Sequence, residues 1–288
     1  MPDITIERQS IPKQKTGLPS FLGIGAARCG TTWLDTVLRS HPDLYLPERR
    51  KEIHFFNLYY DRGLDWYQDF FPSEGSNRTM GEITPDYLYF PETPGRIHQH
   101  FPDCKFLTIL RNPADRAYSH YGFLIRELDE SRSFEAVMEQ EPEVFDRGLY
   151  AAQLKRYLKF FPIENFLILV FEEVMSDRDR ALTQIANFLD INADKFAPDN
   201  LKGKVNASRR SRFPQARRLV RNLRDELRNK DLDWIWNMAK RSGLERLFES
   251  QQPLPKVSPA YRKALLSQYQ ADISSLQKLL NKDLSFWQ

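Results

Sequence analysis

The sequence predicts an α/β fold with a central parallel sheet flanked by helices, and three stretches carry that prediction. "FLGIGAARCGTTWL" (21–34) is an apolar run, a small-residue turn and the start of an amphipathic segment. "KFLTILR" (105–111) is a second apolar run, and Asn112-Pro113 behind it is a helix-start signature. "NFLILVFEE" (165–173) is a third, preceded and followed by helical patterns. Strands alternating with helices favour parallel pairing with both faces of the sheet covered.

Taken in order, residues 1–19 form a polar lead. The first strand is expected at Phe21–Gly25 and its helix at about Thr32–Arg39, where Trp33, Leu34, Val37 and Leu38 share one apolar face. His41-Pro42 ends that helix. "KEIHFFN" (51–57) is a short apolar run with charges in front, and "RTMGEIT" (78–84) a short strand closed by Pro85. Helices are expected at about Tyr150–Phe160 and Asp177–Leu189, on either side of the strand Asn165–Glu173. At the C-terminal end, Leu265, Leu266, Tyr269, Ile273, Leu276 and Leu280 recur at helical spacing over Pro259–Leu280. No repeat or low-complexity tract interrupts the chain, so residues 20–288 read as a single domain.

Composition narrows the class. The 288 residues are 41% hydrophobic and 28% charged, which suits a folded core and excludes wholesale disorder. Two cysteines, Cys29 and Cys104, argue against a disulfide framework. The N-terminus has no apolar core of signal-peptide length, and no run approaches the roughly 18 apolar residues of a membrane span. A cytoplasmic protein is expected.

The loop Gly25-x-x-x-x-Gly30-Thr31-Thr32 has the glycine spacing of a phosphate-binding loop. Small residues there let backbone N–H groups point inward, and the following helix start adds partial positive charge. An ATP-binding loop places lysine after the second glycine, whereas this chain has Thr31. Arg28, inside the loop, supplies a cation instead. That pattern suits a compact anion with no γ-phosphate. A dinucleotide loop is also disfavoured, because Arg28 stands where the third glycine would pack.

"GAARCGTTWL" is similar to the 5′-phosphosulfate loop of sulfotransferases that use 3′-phosphoadenosine 5′-phosphosulfate (PAPS). "HPDLYLPERRKEIHFFN", "GEITPDYLYFPE", "FLTILRNPADRAYSHY" and "LLNKDLSFW" resemble, in order, further blocks of the heparan sulfate sulfotransferases and their bacterial relatives. The resemblance runs from about Phe21 to the C-terminus and is strongest over 21–125. It implies a P-loop-like sulfotransferase fold, PAPS as co-substrate, 3′,5′-ADP as product and no required metal.

It also implies site residues. Ala27, Arg28, Cys29, Gly30, Thr31 and Thr32 match the loop that holds the 5′ end. Arg111 and Ser119 match the 3′-phosphate positions. Alone, Arg111 reads as an ion-pair partner of Asp115 and Ser119 as a solvated hydroxyl; together at the end of a second strand they form an anion site. Glu52 matches the family's general base, which takes the acceptor's proton. Beside Ile53, Phe55 and Phe56 its carboxylate is expected to be partly desolvated. His54, two residues on, faces the same side if the run is extended. Arg28 takes the place of the family's usual lysine, and Ile83 replaces another. The second change suggests an acceptor other than heparan sulfate. Glu82 is either a second site carboxylate or a strand-end acid.

Residues 202–230 hold eleven Lys/Arg against two acids. Most of 217–228 reads as a solvated helical face, while "KVNASRRSR" matches the family's late basic loop over the cofactor. Lys204, Arg209, Arg210 and Arg212 are candidates for the 3′-phosphate or for an anionic acceptor. A runner-up enzyme is a P-loop kinase or hydrolase with Glu172 or Glu173 on a metal, opposed by the missing lysine. A third reading is a non-catalytic polyanion binder acting through the basic run. Nucleic acid is not expected, because that run lacks interleaved aromatics and a recognition motif. The acceptor, a small molecule or a carbohydrate, is left open by the sequence.

Overall fold

A computed structural model describes residues 18–72, 77–197, 214–241, 255 and 257–287. In chain order the elements are β1 (Phe21–Gly25), α1 (Thr31–Ser40), β2 (Leu44–Tyr45), α2 (Gly63–Gln68), β3 (Thr79–Ile83), α3 (Thr93–His100) and β4 (Lys105–Leu110). Then follow α4 (Pro113–Leu128), α5 (Phe134–Gln140), α6 (Pro142–Asp146), α7 (Tyr150–Tyr157), β5 (Phe166–Val170), α8 (Phe171–Ser176) and α9 (Arg178–Leu189). The last three are α10 (Pro214–Asn229), α11 (Asp233–Arg241) and α12 (Pro259–Leu280). Leu18 and Pro19, assigned to the polar lead on sequence, already pack against the body of the protein.

The five strands form one parallel sheet in the order β2-β3-β1-β4-β5. After β1 the chain builds outward through β2 and β3, then crosses back to place β4 on the other side of β1. The order therefore reverses beside β1, and the crevice at the carboxyl ends of β1 and β4 is where open α/β sheets take ligands. Phe21, Leu22 and Ile24 of β1 and Phe106, Ile109 and Leu110 of β4 are fully buried, as strands covered on both faces must be. Gly81 of β3 is required by close approach: a Cβ there would lie 2.3 Å from the Phe21 ring.

The helix signals behave as their chemistry dictates. Asn112 accepts from the N–H groups of Ala114 and Asp115 and caps α4, with Pro113 in its first turn. Ser258 caps α12 in the same way, and Asn281 closes it in the left-handed conformation.

Two sequence expectations change. The strand expected at 165–173 ends at Val170, and Phe171 begins α8. Its acids are used locally: Glu172 accepts from the Asn112 N–H and the Trp287 indole, and Glu173 pairs with Lys282 at 2.6 Å. The run 51–57 is not extended either. Glu52 and His54 have φ of 59° and 60°, so the segment coils as a strap across the sheet's end.

Candidate active site

Three segments converge at the crevice: the loop after β1, the strap 49–57, and the turn from β4 into α4. The loop is fixed from below. Ala26 N donates to Ile109 O at 2.8 Å, tying it to β4. Cys29 is fully buried, and its sulfur lies 3.5 Å from the Tyr150 hydroxyl, which donates to Arg111 O. Burial pushes the Cys29 thiol up to about 11, so this cysteine offers the loop its backbone rather than a thiolate. Gly30 sits at φ 97°, and a Cβ there would lie 2.9 Å from the Phe171 ring. No side chain caps α1. The N–H groups of its first turn, including those of Thr31 and Thr32, have no carbonyl one turn back to bond, an arrangement able to receive an anion.

Arg28 adopts φ 73° and lies with its guanidinium carbon 5.1 Å from the centre of the Phe123 ring. Among the described residues its Nε is buried without an acceptor. Burial first, and then the charge of Arg126, pushes this guanidinium down to about 10, against the pull of Glu52. It stays protonated at neutral pH. A buried cation with an orphaned donor beside an uncapped helix start fits an anionic group.

The strap alternates sides by backbone conformation rather than by extension. Ile53, Phe55 and Phe56 are fully buried, with Phe55 stacked on Tyr67 at 4.6 Å. Burying each such side chain contributes about 1.5–3 kcal/mol. Glu52 is turned outward, and His54 lies beside it with only 14% of its side chain exposed. Glu52 is 36% exposed, so the desolvated carboxylate expected from its apolar neighbours is not found: those neighbours point into the core instead. Its oxygens lie 3.9 Å from Lys51 Nζ and 3.9 Å from His54 Nε2. Arg28 and Arg228 are also within its electrostatic reach. His54 therefore does share a side with Glu52, for a different reason than the one the sequence suggested. Burial lowers the pKa of His54 despite the opposing pull of Asp86 and Glu52, which keeps the imidazole neutral.

Seven described non-glycine residues have positive φ. Asp129, Asp190 and Asn281 end helices, and Asp231 lies just past α10. The other three are Arg28, Glu52 and His54. Such conformations cost about 1–3 kcal/mol each and persist where surrounding contacts over-determine them. Here those contacts are visible. His54 N donates to Thr84 Oγ1, which in turn donates to Glu82 at 2.7 Å. Glu82 is 2% exposed and also accepts from Tyr67 and Tyr87, and burial raises its carboxyl pKa. It braces the base of the strap from the end of β3. On the other flank, Arg50 donates twice to Asp233 of α11, at 2.9 and 2.7 Å, with both side chains under 5% exposed.

The second cradle is Arg111. Its expected partner Asp115 is taken by Arg262, at 3.0 and 3.1 Å. Among the described residues the Arg111 guanidinium makes no hydrogen bond or ion pair; it rests on the Phe171 ring at 4.7 Å. Phe171 thus packs under both Gly30 and Arg111. Ser119 is half-buried in the second turn of α4. Lys204, Arg209, Arg210 and Arg212 lie outside the described residues.

Sequence reasoning missed several neighbours. Lys51 reaches Thr32, with Nζ 3.4 Å from its hydroxyl. Arg228 of α10 donates to Lys51 O. Arg147 pairs with Asp86 at 2.6 Å, beside His54. His120 accepts from Arg116 through Nδ1 at 3.3 Å. Lys51 had a visible signal in its adjacency to Glu52, Arg228 in the basic run 202–230 and His120 in its adjacency to Ser119; Arg147 had none.

Residues 19–224 match the family described as the sulfotransferase domain, and the chain belongs to that family. A sulfotransferase from Alicyclobacillus acidocaldarius superposes with a TM-score of 0.70 at 30% identity, covering 94% of this chain and 98% of that one. Mouse heparan sulfate glucosamine 3-O-sulfotransferase 6 is 34% identical over 179 residues, 59% of this chain and 52% of its own length. The human bifunctional heparan sulfate N-deacetylase/N-sulfotransferase 3 is 33% identical over 202 residues, 62% of this chain and 23% of its own. The chain thus spans about half the length, or less, of the curated relatives it matches. The parallel sheet with flanking helices is the fold expected of this family.

Proposed function

We propose that this protein transfers a sulfuryl group from PAPS to a hydroxyl or amine of an acceptor, a carbohydrate in first place, releasing 3′,5′-ADP. Family membership supports the reaction class, and relatives named for sulfation of heparan sulfate support a sugar acceptor. The observation that carries the reading is Glu52, turned out of the core by a left-handed backbone, within electrostatic reach of the buried Arg28 and next to Lys51 at the uncapped start of α1.

The loop N–H groups, Thr31, Thr32 and Arg28 hold the 5′ end, and Arg111 with Ser119 holds the 3′-phosphate. The donor brings an activated sulfur–oxygen bond whose leaving group is a stable phosphate. Glu52 removes the acceptor proton as the new oxygen–sulfur or nitrogen–sulfur bond forms and the bond to the 5′-phosphate breaks. Arg28 supplies positive charge to the departing oxygen as negative charge grows there. His54, neutral and hydrogen-bonded to Asn57, orients Glu52 or the acceptor. Lys204, Arg209 and Arg210 remain candidates for closing over the donor.

In the kinase alternative Glu172 would serve a metal, but its two oxygens are engaged by the Asn112 N–H and the Trp287 indole. A single domain over 20–288 and a cytoplasmic location belong to the same proposal; the two free cysteines support the latter. No described helix is long and apolar enough to cross a membrane.

Calorimetric titration tests the reading. Micromolar binding of 3′,5′-ADP without magnesium is expected, together with weak binding of ATP with or without it. Tight, magnesium-dependent ATP binding would replace the proposal with a nucleotide kinase or hydrolase.

A further inference from the structure

The loop has no lysine after Gly30, yet a lysine ammonium stands at the same helix end. Lys51 Nζ lies 3.4 Å from Thr32 Oγ1, in the first turn of α1. It reaches there from the strap, not from the loop. Building on the sulfotransferase reading above, we propose that Lys51 is a donor-binding residue: it supplies from outside the loop the point charge that holds the 5′-phosphate end of PAPS.

Three observations support this. First, the ammonium has three donors, and only the Thr32 hydroxyl accepts from it within hydrogen-bond reach among the described residues. Its other polar neighbour, Glu52 Oε1, stands further off at 3.9 Å, with both side chains about one-third exposed. A pair that loose contributes little by itself and does not fix the lysine. Second, the backbone aims the side chain. Lys51 O accepts from Arg228 Nη2, and its neighbour Arg50 is clamped to Asp233 in a buried two-pronged ion pair. Residue 51 is therefore held between two anchors on α10 and α11. Third, the two cations have separate stations. Arg28 is rooted in the loop over Phe123, while Lys51 enters from the strap beside Glu52. An anion at the start of α1 would be met from two directions, one a forked guanidinium and the other a compact ammonium.

The assignment makes Lys51 specific for the 5′ end and Arg111 for the 3′ end, so three nucleotides separate the roles. Calorimetry with 3′,5′-ADP, adenosine 5′-monophosphate and adenosine 3′-monophosphate is run on the wild-type chain, Lys51→Met, Lys51→Arg and Arg111→Ala. Thermal melting checks that each variant is folded; Lys51 is exposed enough that its replacement leaves the core untouched. Lys51→Met is expected to lose about 10- to 100-fold in affinity for 3′,5′-ADP and for the 5′-monophosphate, the range of one charge-assisted contact. Its affinity for the 3′-monophosphate stays within about 2-fold. Lys51→Arg recovers part of the loss, and Arg111→Ala shows the mirror pattern. Unchanged 5′-monophosphate binding by Lys51→Met overturns the assignment, and so does an equal loss for both monophosphates. A wild-type chain that binds none of the three overturns the sulfotransferase reading itself.

Discussion

The loop 26–32 and the strap 49–57 meet at the same crevice, yet they are built in opposite ways. The loop is shaped by its own residues. Gly30 supplies a left-handed turn, Ala26 bonds the neighbouring strand, and α1 starts at once behind them. The strap has no glycine at all, and two of its residues nonetheless sit at positive φ. It holds that shape because Ile53, Phe55 and Phe56 are sunk in the core, Thr84 and Glu82 brace it from beneath, and Asp233 grips Arg50 from a helix far along the chain. The loop's turn thus rests on a glycine and a few close ties, whereas the strap's conformation is imposed by distant parts of the fold.

The largest expected effect falls on the strap's chemistry. Glu52→Gln is expected to keep 3′,5′-ADP affinity within about 2-fold and to lose about 100- to 10,000-fold in turnover, the range assigned to a general base. The measurement is 3′,5′-ADP release from PAPS with whichever of a desulfated heparan-type polysaccharide, a simple glycoside or an aryl amine the wild-type chain turns over. Normal turnover would remove Glu52 from the base role and leave the strap a purely structural brace.

Next comes the strap's anchor. Arg50→Met leaves Asp233 buried with only distant partners, Arg49 at 3.9 Å and Arg228 at 4.0 Å. A loss of about 3–5 kcal/mol in denaturant unfolding is expected. The double variant Arg50→Met/Asp233→Leu should be the more stable of the two, since it buries no unpaired charge. Equal stability would show that α11 does not hold the strap through this pair.

The smallest effect compares one histidine from each side. His120, beside the loop on α4, is pushed down to about 3 by burial first and then by Arg116, Arg147 and Arg28. Its unfolded value is 6.5, so the unfolded chain takes up the proton first as pH falls. Stability is full above about pH 6.5 and drains away toward pH 3, by about 1–2 kcal/mol at pH 5. His54 in the strap is lowered too, but Asp86 and Glu52 oppose the shift. Melting curves between pH 7 and 5 should therefore flatten more for His120→Gln than for His54→Gln. The reverse order would place the acid-sensitive point in the strap.

Much of this architecture was legible because its causes are local. Apolar runs bounded by Asn112-Pro113 and by the glycines of the β1 loop define strands and helix starts whatever lies around them. Ordered motif blocks likewise pointed to the family and to the loop, Glu52 and Arg111. The coiling of 51–57 could not be read, because alternation of Ile53, Phe55 and Phe56 with Glu52 and His54 looks the same in a strand and in a strap pinned at positive φ. Nor could the sequence show that Arg262 would claim Asp115 from 147 residues away and leave Arg111 without an acid.

The sequence by itself determined the sheet's strands, the helix caps and the glycine-spaced loop, since each is signalled by residue types within a few positions of one another. Only the tertiary structure decided which side Glu52 faces, which acid Arg111 escapes and where Lys51 reaches. Those outcomes depend on partners that meet through burial and charge pairing across the folded core.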